Sequence, residues 1–171
     1  MILTTERLTL TELTMDMAEV IHHNSLDEDN RRFVPDEVFE TIDEAREAVS
    51  FLMSQYETKD GPLLYPVLIS KTDENIGYVQ LVPLGSGKWE VGYHIARRYT
   101  GRGYAVEAVR AFLPTVTRLV GIDQVEGICL KENAASIRVM EKCGFRHVFD
   151  GPGEYQGEIR PVVKMNWSRE E

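Results

Sequence analysis

Cysteine is almost missing from this chain: only Cys129 and Cys143 occur among its 171 residues. They show no C-x-x-C spacing, which excludes a disulfide-stapled secreted scaffold and leaves no metal site to expect. Cys129 lies in an apolar run and Cys143 just before Gly144. Both read as buried packing residues, not nucleophiles. Long apolar runs are also lacking, with none near the roughly 18 residues of a membrane span. The opening MILTTERLTL has neither the basic start nor the apolar block of an export signal. A cytoplasmic protein that does not enter membranes is expected. Basic residues are in deficit, with 19 Lys and Arg against 28 Asp and Glu and a formal net charge of -9. This argues against nucleic acid as the main partner, because phosphate backbones are bound by clustered cations. An acidic surface suits a cationic substrate, or simply solubility.

What remains is an ordinary globular composition, 43% hydrophobic and 27% charged, at a length that suits one domain. RLTLTEL, from Arg7 to Leu13, alternates like a half-buried strand. Thr14 offers an N-cap for a helix through about Asn24, with Met17, Val20 and Ile21 on one face. The polar stretch SLDEDNRRFVPDEVFE reads as a loop that could line a substrate mouth or merely connect elements. Thr41 and Glu44 then form a capping box for a second helix with Ala45, Ala48, Val49, Leu52 and Tyr56 on its apolar stripe. LYPVLIS, IGYVQLV and WEVGYHIA, separated by short turns, predict an antiparallel meander. From Gly103 the period becomes helical, and Pro114 is expected to kink that helix or end it early. VEGICL reads as a strand, NAASIRVMEKCG as a short helix, and FRHVF and RPVVKMNW as last strands around a turn at Asp150-Gly151-Pro152-Gly153. The order is that of an α/β domain, mostly antiparallel in its first half, with a strand-helix-strand crossover in its second.

One junction carries chemistry. WEVGYHIA runs into Arg97-Arg98-Tyr99-Thr100-Gly101-Arg102-Gly103, where a helix begins. A strand feeding a glycine turn at a helix N-terminus aims unpaired backbone N–H groups and the positive end of the helix dipole at one point. That point suits an anion. The glycines allow close backbone approach, and Arg97, Arg98 and Arg102 add positive charge. No Walker GxxxxGK is present, and a dinucleotide GxGxxG lacks its third glycine because Val106 stands there. The pattern Q/R-x-x-G-x-G/A is matched by Arg98, Gly101 and Gly103.

TERLTL, EVGYHI, RYTGRGYAVEA and NAASIRVMEKCGF, in that order, make the chain resemble the GNAT superfamily of N-acetyltransferases. The likeness is to the branch of ribosomal-protein N-terminal acetyltransferases, and it covers nearly the whole chain. It implies a single N-acetyltransferase domain over residues 1–171 with the acyl-CoA N-acyltransferase fold, α/β (α+β), having about seven mostly antiparallel strands and helices on both faces. It further implies acetyl-CoA as co-substrate, its pyrophosphate held by backbone amides of Gly101, Arg102, Gly103, Tyr104 and Ala105 with Arg98 and Arg102 assisting. The strand around His94, Ile95 and Ala96 would splay from VEGICL so that free backbone groups pair with the pantetheine arm. Asn133 would contact the same arm while also capping a helix.

Amine acetylation requires a neutral amine, a stabilised oxyanion and a leaving thiolate. Glu90, Gly92 and His94 alternate onto one strand face, which makes Glu90 the first candidate base and His94 the second. By analogy with the family, a backbone N–H near Ile95 would meet the oxyanion. Many superfamily members carry a tyrosine seven residues after the Asn133 position to protonate the thiolate. Met140 stands there instead, and Ser136, matching a serine of the ribosomal-protein branch, is the candidate in its place. The acceptor implied is a protein N-terminus or a small-molecule amine. An aminoglycoside or polyamine suits the acidic segments Asp27-Glu28-Asp29 and Asp36-Glu37, and Met140 leaves open a non-catalytic CoA-binding sensor. A homodimer is also compatible with the sequence.

Overall fold

The computed structural model describes residues 2–170 and arranges them around one eight-stranded sheet. The strand beyond the seven expected is β1 (Leu3–Thr4), which pairs at the edge with β2 (Leu8–Leu10). Two residues carry no readable period, so alternation does not reveal such a strand. After the helices α1 (Ala18–Ser25), α2 (Glu28–Phe33) and α3 (Ile42–Thr58), the meander is formed by β3 (Leu63–Ile69), β4 (Glu74–Gly85) and β5 (Lys88–Ile95). The β4–β5 hairpin turns through Ser86 and Gly87, both at positive φ, which matches the strand twist. Helix α4 (Tyr104–Val120) then crosses back to β6 (Gln124–Leu130), which lies parallel to β5. Following α5 (Ala134–Lys142), β7 (Arg146–Tyr155) and β8 (Glu158–Ser168) complete the order β1-β2-β3-β4-β5-β6-β8-β7.

Helices α4 and α5 cover the sheet face that presents Tyr65, Val79, Leu81 and Val91, and bury Phe112, Leu113 and Met140 against it. The opposite face, which presents Leu64, receives α1 and α3 through Leu13, Ala18 and Val49. Pro114 does not end α4, which continues to Val120. Burial of Phe112, Leu113 and Val116 holds the helix against the roughly 3 kcal/mol that an interior proline costs.

Three local expectations are corrected. Thr14 does not cap α1; its hydroxyl bonds the Asp16 carboxylate, and Met15–Met17 form a 3-10 turn first. The stretch read as a loop folds into α2, whose N-cap Asp27 accepts the Asp29 N–H at 2.8 Å, followed by a 3-10 turn at Pro35–Glu37. Glycines at 151 and 153 mark crowding inside β7, not a turn. A Cβ on Gly153 would lie 2.7 Å from Val162 Cγ2, and the chain reverses instead at Gln156 and Gly157 with φ of 50° and 81°. The α3 capping box forms with a shift: Thr41 Oγ1 accepts the Glu44 N–H at 3.2 Å, but the Glu44 carboxylate accepts from Glu40 at 2.8 Å, one residue upstream.

Candidate active site

Strands β5 and β6 are in register only at Glu90 and Glu126; beyond that pair both strands continue without pairing to each other. A gap opens between two central strands. The Ala96 N–H bonds the Ile76 carbonyl at 2.8 Å, and the His94 carbonyl points at Gly77, where a Cβ would meet it at 2.0 Å. Backbone polar groups alternate sides along a strand, so those of Tyr93 and Ile95 face the gap. Of the three residues implied for the splay, Ile95 supplies the free backbone groups, while His94 and Ala96 turn theirs toward β4.

At the end of β5 a 3-10 turn, Arg97–Tyr99, leads into α4, with Gly103 as its N-cap. Gly101 and Gly103 have φ of 76° and 80°, the left-handed region where a side chain costs about 1–2 kcal/mol. No atom lies within 4 Å of a Cβ built on Gly101, so conformation and not crowding demands glycine there. The first amides of α4 have no intrahelical partner, and they begin at the mouth of the gap. Arg98 and Arg102 share one anchor: their guanidinium carbons lie 4.8 and 5.9 Å from the centre of the Tyr99 ring, and the Tyr99 hydroxyl bonds Glu74. Neither forms an ion pair among the described residues. Arg97 does, with Glu28 at 2.6 Å, and its N–H bonds Asp27.

A clamp not anticipated from sequence braces this turn. Glu107 accepts from Thr5 Oγ1 at 2.7 Å, from the Arg7 N–H at 2.9 Å and from Arg7 Nε at 2.7 Å. Arg7 also donates to the Arg102 carbonyl at 3.0 Å and lies over the Tyr104 ring. Partial burial pushes the Glu107 carboxyl up, but the Thr5 and Arg7 hydrogen bonds outweigh it and hold the group below the usual carboxylate range. The signal was present in the TERL and AVEA segments, although nothing in their spacing pairs residues a hundred positions apart.

On the face of β4 and β5 that looks toward α1, α2 and α3, a cavity of about 140 Å³ is lined mainly by apolar side chains, with Glu37, Gln80 and His94 among its polar residues. Burial pushes the Glu37 carboxyl up to about 7, helped by Asp36 and Glu90 and opposed by the Gln80 amide, which donates to it at 3.0 Å. Glu90 is also raised to about 7, by burial and then by Glu126, against Lys164. His94 is moved the other way: burial lowers it despite Asp27 and Asp29, and its Nε2 is buried without a hydrogen-bond partner among the described residues. Glu37 was legible only as one charge of an acidic loop. The end of α2 is tied to the second half of the chain by Tyr155, whose hydroxyl donates to the Phe33 carbonyl, and by Glu132, which pairs with both Arg32 and Arg160 at 3.3 Å.

Across the gap, Asn133 caps α5 by accepting the Ser136 N–H at 3.2 Å. Ser136 Oγ lies 2.9 Å from the Tyr93 hydroxyl, a partner the sequence did not suggest. Met140 is a core residue, 1% exposed, whose sulfur would meet a Cβ on Gly127 at 2.5 Å. Burial pushes both cysteine thiols up to about 11, so neither is ionised near neutrality.

Residues 7–146 match the family model described as acetyltransferase (GNAT) domain. The chain is 27% identical to the uncharacterized N-acetyltransferase YnaD of Bacillus subtilis over 84% of this chain and 82% of the relative. Among solved structures, a GNAT-family acetyltransferase from Bacillus anthracis superposes with a TM-score of 0.83 at 24% identity, covering 98% of both chains. RimL, a ribosomal L7/L12 alpha-N-protein acetyltransferase in complex with coenzyme A, superposes with a TM-score of 0.84 at 17% identity, again over 98% of both.

Proposed function

The chain belongs to the GNAT family of acetyltransferases, and from that premise we propose that it moves the acetyl group of acetyl-CoA directly onto a primary amine, on a protein N-terminus or a small molecule. One observation carries the reading: a gap between two central strands runs into a left-handed glycine turn at a helix N-terminus. The amides from Gly101 to Ala105 hold the pyrophosphate, with Arg98 and Arg102 beside them. The Ile95 backbone pairs with the pantetheine arm in the gap, and Asn133 reaches it from the far side. RimL, which shares the fold, was solved with coenzyme A, in keeping with this site.

The co-substrate supplies an acyl thioester; the chain supplies proton handling. An alkyl ammonium with a pKa near ~10.4 must lose a proton before it attacks. Glu90, held near 7, is ionised in part at neutral pH and can take that proton. His94 remains the second candidate base: burial keeps it neutral, and it shares Glu90's strand face. The Ile95 N–H faces the position where negative charge develops on the carbonyl oxygen. Ser136 donates a hydrogen bond toward the departing sulfur. No covalent acyl-enzyme forms, since both thiols are buried and protonated.

Calorimetric titration with acetyl-CoA, followed by thiol release with a panel of primary amines, tests the reading. Binding with turnover supports it. Binding without turnover of any amine would replace the transferase with a CoA-binding sensor.

A further inference from the structure

The cavity under α1–α3 has a composition that does not match a polycation. Leu13, Ile21, Phe39, Val49 and Leu52 are among its apolar lining, while of its two carboxylates, Asp36 and Glu37, it is Glu37 that lies within electrostatic range of Glu90. At about 140 Å³ it is close to the ~150 Å³ of an apolar protein cavity known to take up benzene. It therefore has room for one group of about six carbons. Placing several ammonium groups there would strip each of water against a largely apolar surface, at a cost that the two adjacent carboxylates of Asp36 and Glu37 do not offset for more than one of them.

The cavity also carries buried polar atoms that a ligand's own polar group, such as an amide, could satisfy. Asn30, Asn75 and His94 all line it, and each keeps one buried side-chain atom without a hydrogen-bond partner among the described residues: Asn30 Oδ1, Asn75 Nδ2 and His94 Nε2. Asn30 and Asn75 are 1% and 7% exposed. Gln80, which pairs with Gly92 on β5, donates to Glu37 Oε1 and fixes the carboxylate on the cavity wall.

We propose that this cavity seats the carrier of the acceptor amine, and that the acceptor is a primary amine on a compact apolar group. The apolar group enters between α1 and α3, and the ammonium is held between Glu37 and Glu90. The proposal rests on the transferase reading above and narrows its acceptor. A small amine and the first residue of a peptide can present the same chemistry, which a leucine-initiated tripeptide and leucinamide separate.

The test compares kcat/KM for glycinamide, leucinamide, the tripeptide and spermidine, with acetyl-CoA binding measured in parallel. Leucinamide is expected to exceed glycinamide at least tenfold, and spermidine to be the poorest. The tripeptide matching leucinamide would assign peptide termini as the source; its failure would assign small amines. Ala48 lines the cavity from α3, so Ala48→Leu should fill it and bring the leucinamide-to-glycinamide ratio close to one in protein that still binds acetyl-CoA. Equal rates for the two amides in the wild type, or preference for spermidine, would overturn the assignment while leaving the transferase intact. Failure to bind acetyl-CoA would overturn both.

Discussion

The Tyr93 hydroxyl lies 2.9 Å from Ser136 Oγ and 3.0 Å from the Ser136 carbonyl, tying β5 to the first turn of α5 across the gap. Burial pushes the phenol well above its ordinary range, opposed by the Ser136 bond, so it stays protonated and serves as a hydrogen-bond donor. When Ser136 donates to a leaving sulfur, Tyr93 can donate to Ser136 and strengthen that bond. Tyr93 is thus a positioning residue. Tyr93→Phe should lower kcat about fivefold, the worth of one ordinary hydrogen bond, with acetyl-CoA affinity preserved. On a Ser136→Ala background the same change should have no further effect; additive losses in thiol-release assays would show that the two side chains act separately.

Glu90 gives the clearest kinetic signature. With its carboxyl at about 7, kcat/KM for an amine of fixed charge should rise as pH increases through that value and then level. Glu90→Gln should remove the rise and lower the rate by about 10² or more, leaving the calorimetric Kd for acetyl-CoA unchanged. A pH profile that keeps its limb in Glu90→Gln would transfer the base role to His94 or Glu37.

How far sequence reaches is visible in these same residues. Gly101 and Gly103 were readable because the strand before them and the helix after them have different periods, and glycine between the two has few other uses. Ile95 came from the resemblance to the acetyltransferase family, since alternation along β5 says only which face its side chain takes. Glu37 was not readable, since its character comes from burial beside Gln80 and Glu90, residues on strands forty or more positions away. The same applies to Tyr93, which strand alternation placed on the face away from Glu90; its partner Ser136 is fixed only when α5 packs. Helix α2 escaped notice because six residues are too few to display a helical period.

The brace around the glycine turn should be measurable as affinity. Gly103→Ala forces a side chain into the left-handed region and should weaken acetyl-CoA binding about tenfold, the equivalent of roughly 1–2 kcal/mol. Glu107→Gln keeps the shape but loses the ionic part of the Arg7 clamp, so a smaller loss of about threefold is expected. Calorimetry decides both, and unchanged affinity in Gly103→Ala would separate the turn from the pyrophosphate.

Two raised carboxyls also make stability depend on pH in an unusual direction. Glu37 and Glu90 have folded values of about 7 against an ordinary 4.5, so the folded chain binds their protons more tightly than the unfolded chain does. Below about 4.5 both states are protonated and the full contribution is present. As pH rises toward 7 the unfolded chain ionises first, and the native state loses on the order of 1–3 kcal/mol per group. Glu37→Gln cannot ionise and retains an amide oxygen for Gln80 to bond. Relative to wild type it should therefore be more stable at pH 8 than at pH 5, read as the difference in urea midpoints at the two values. A difference that does not change with pH would mean that Glu37 is already ionised in the fold, and that the cavity wall carries a full negative charge at neutrality.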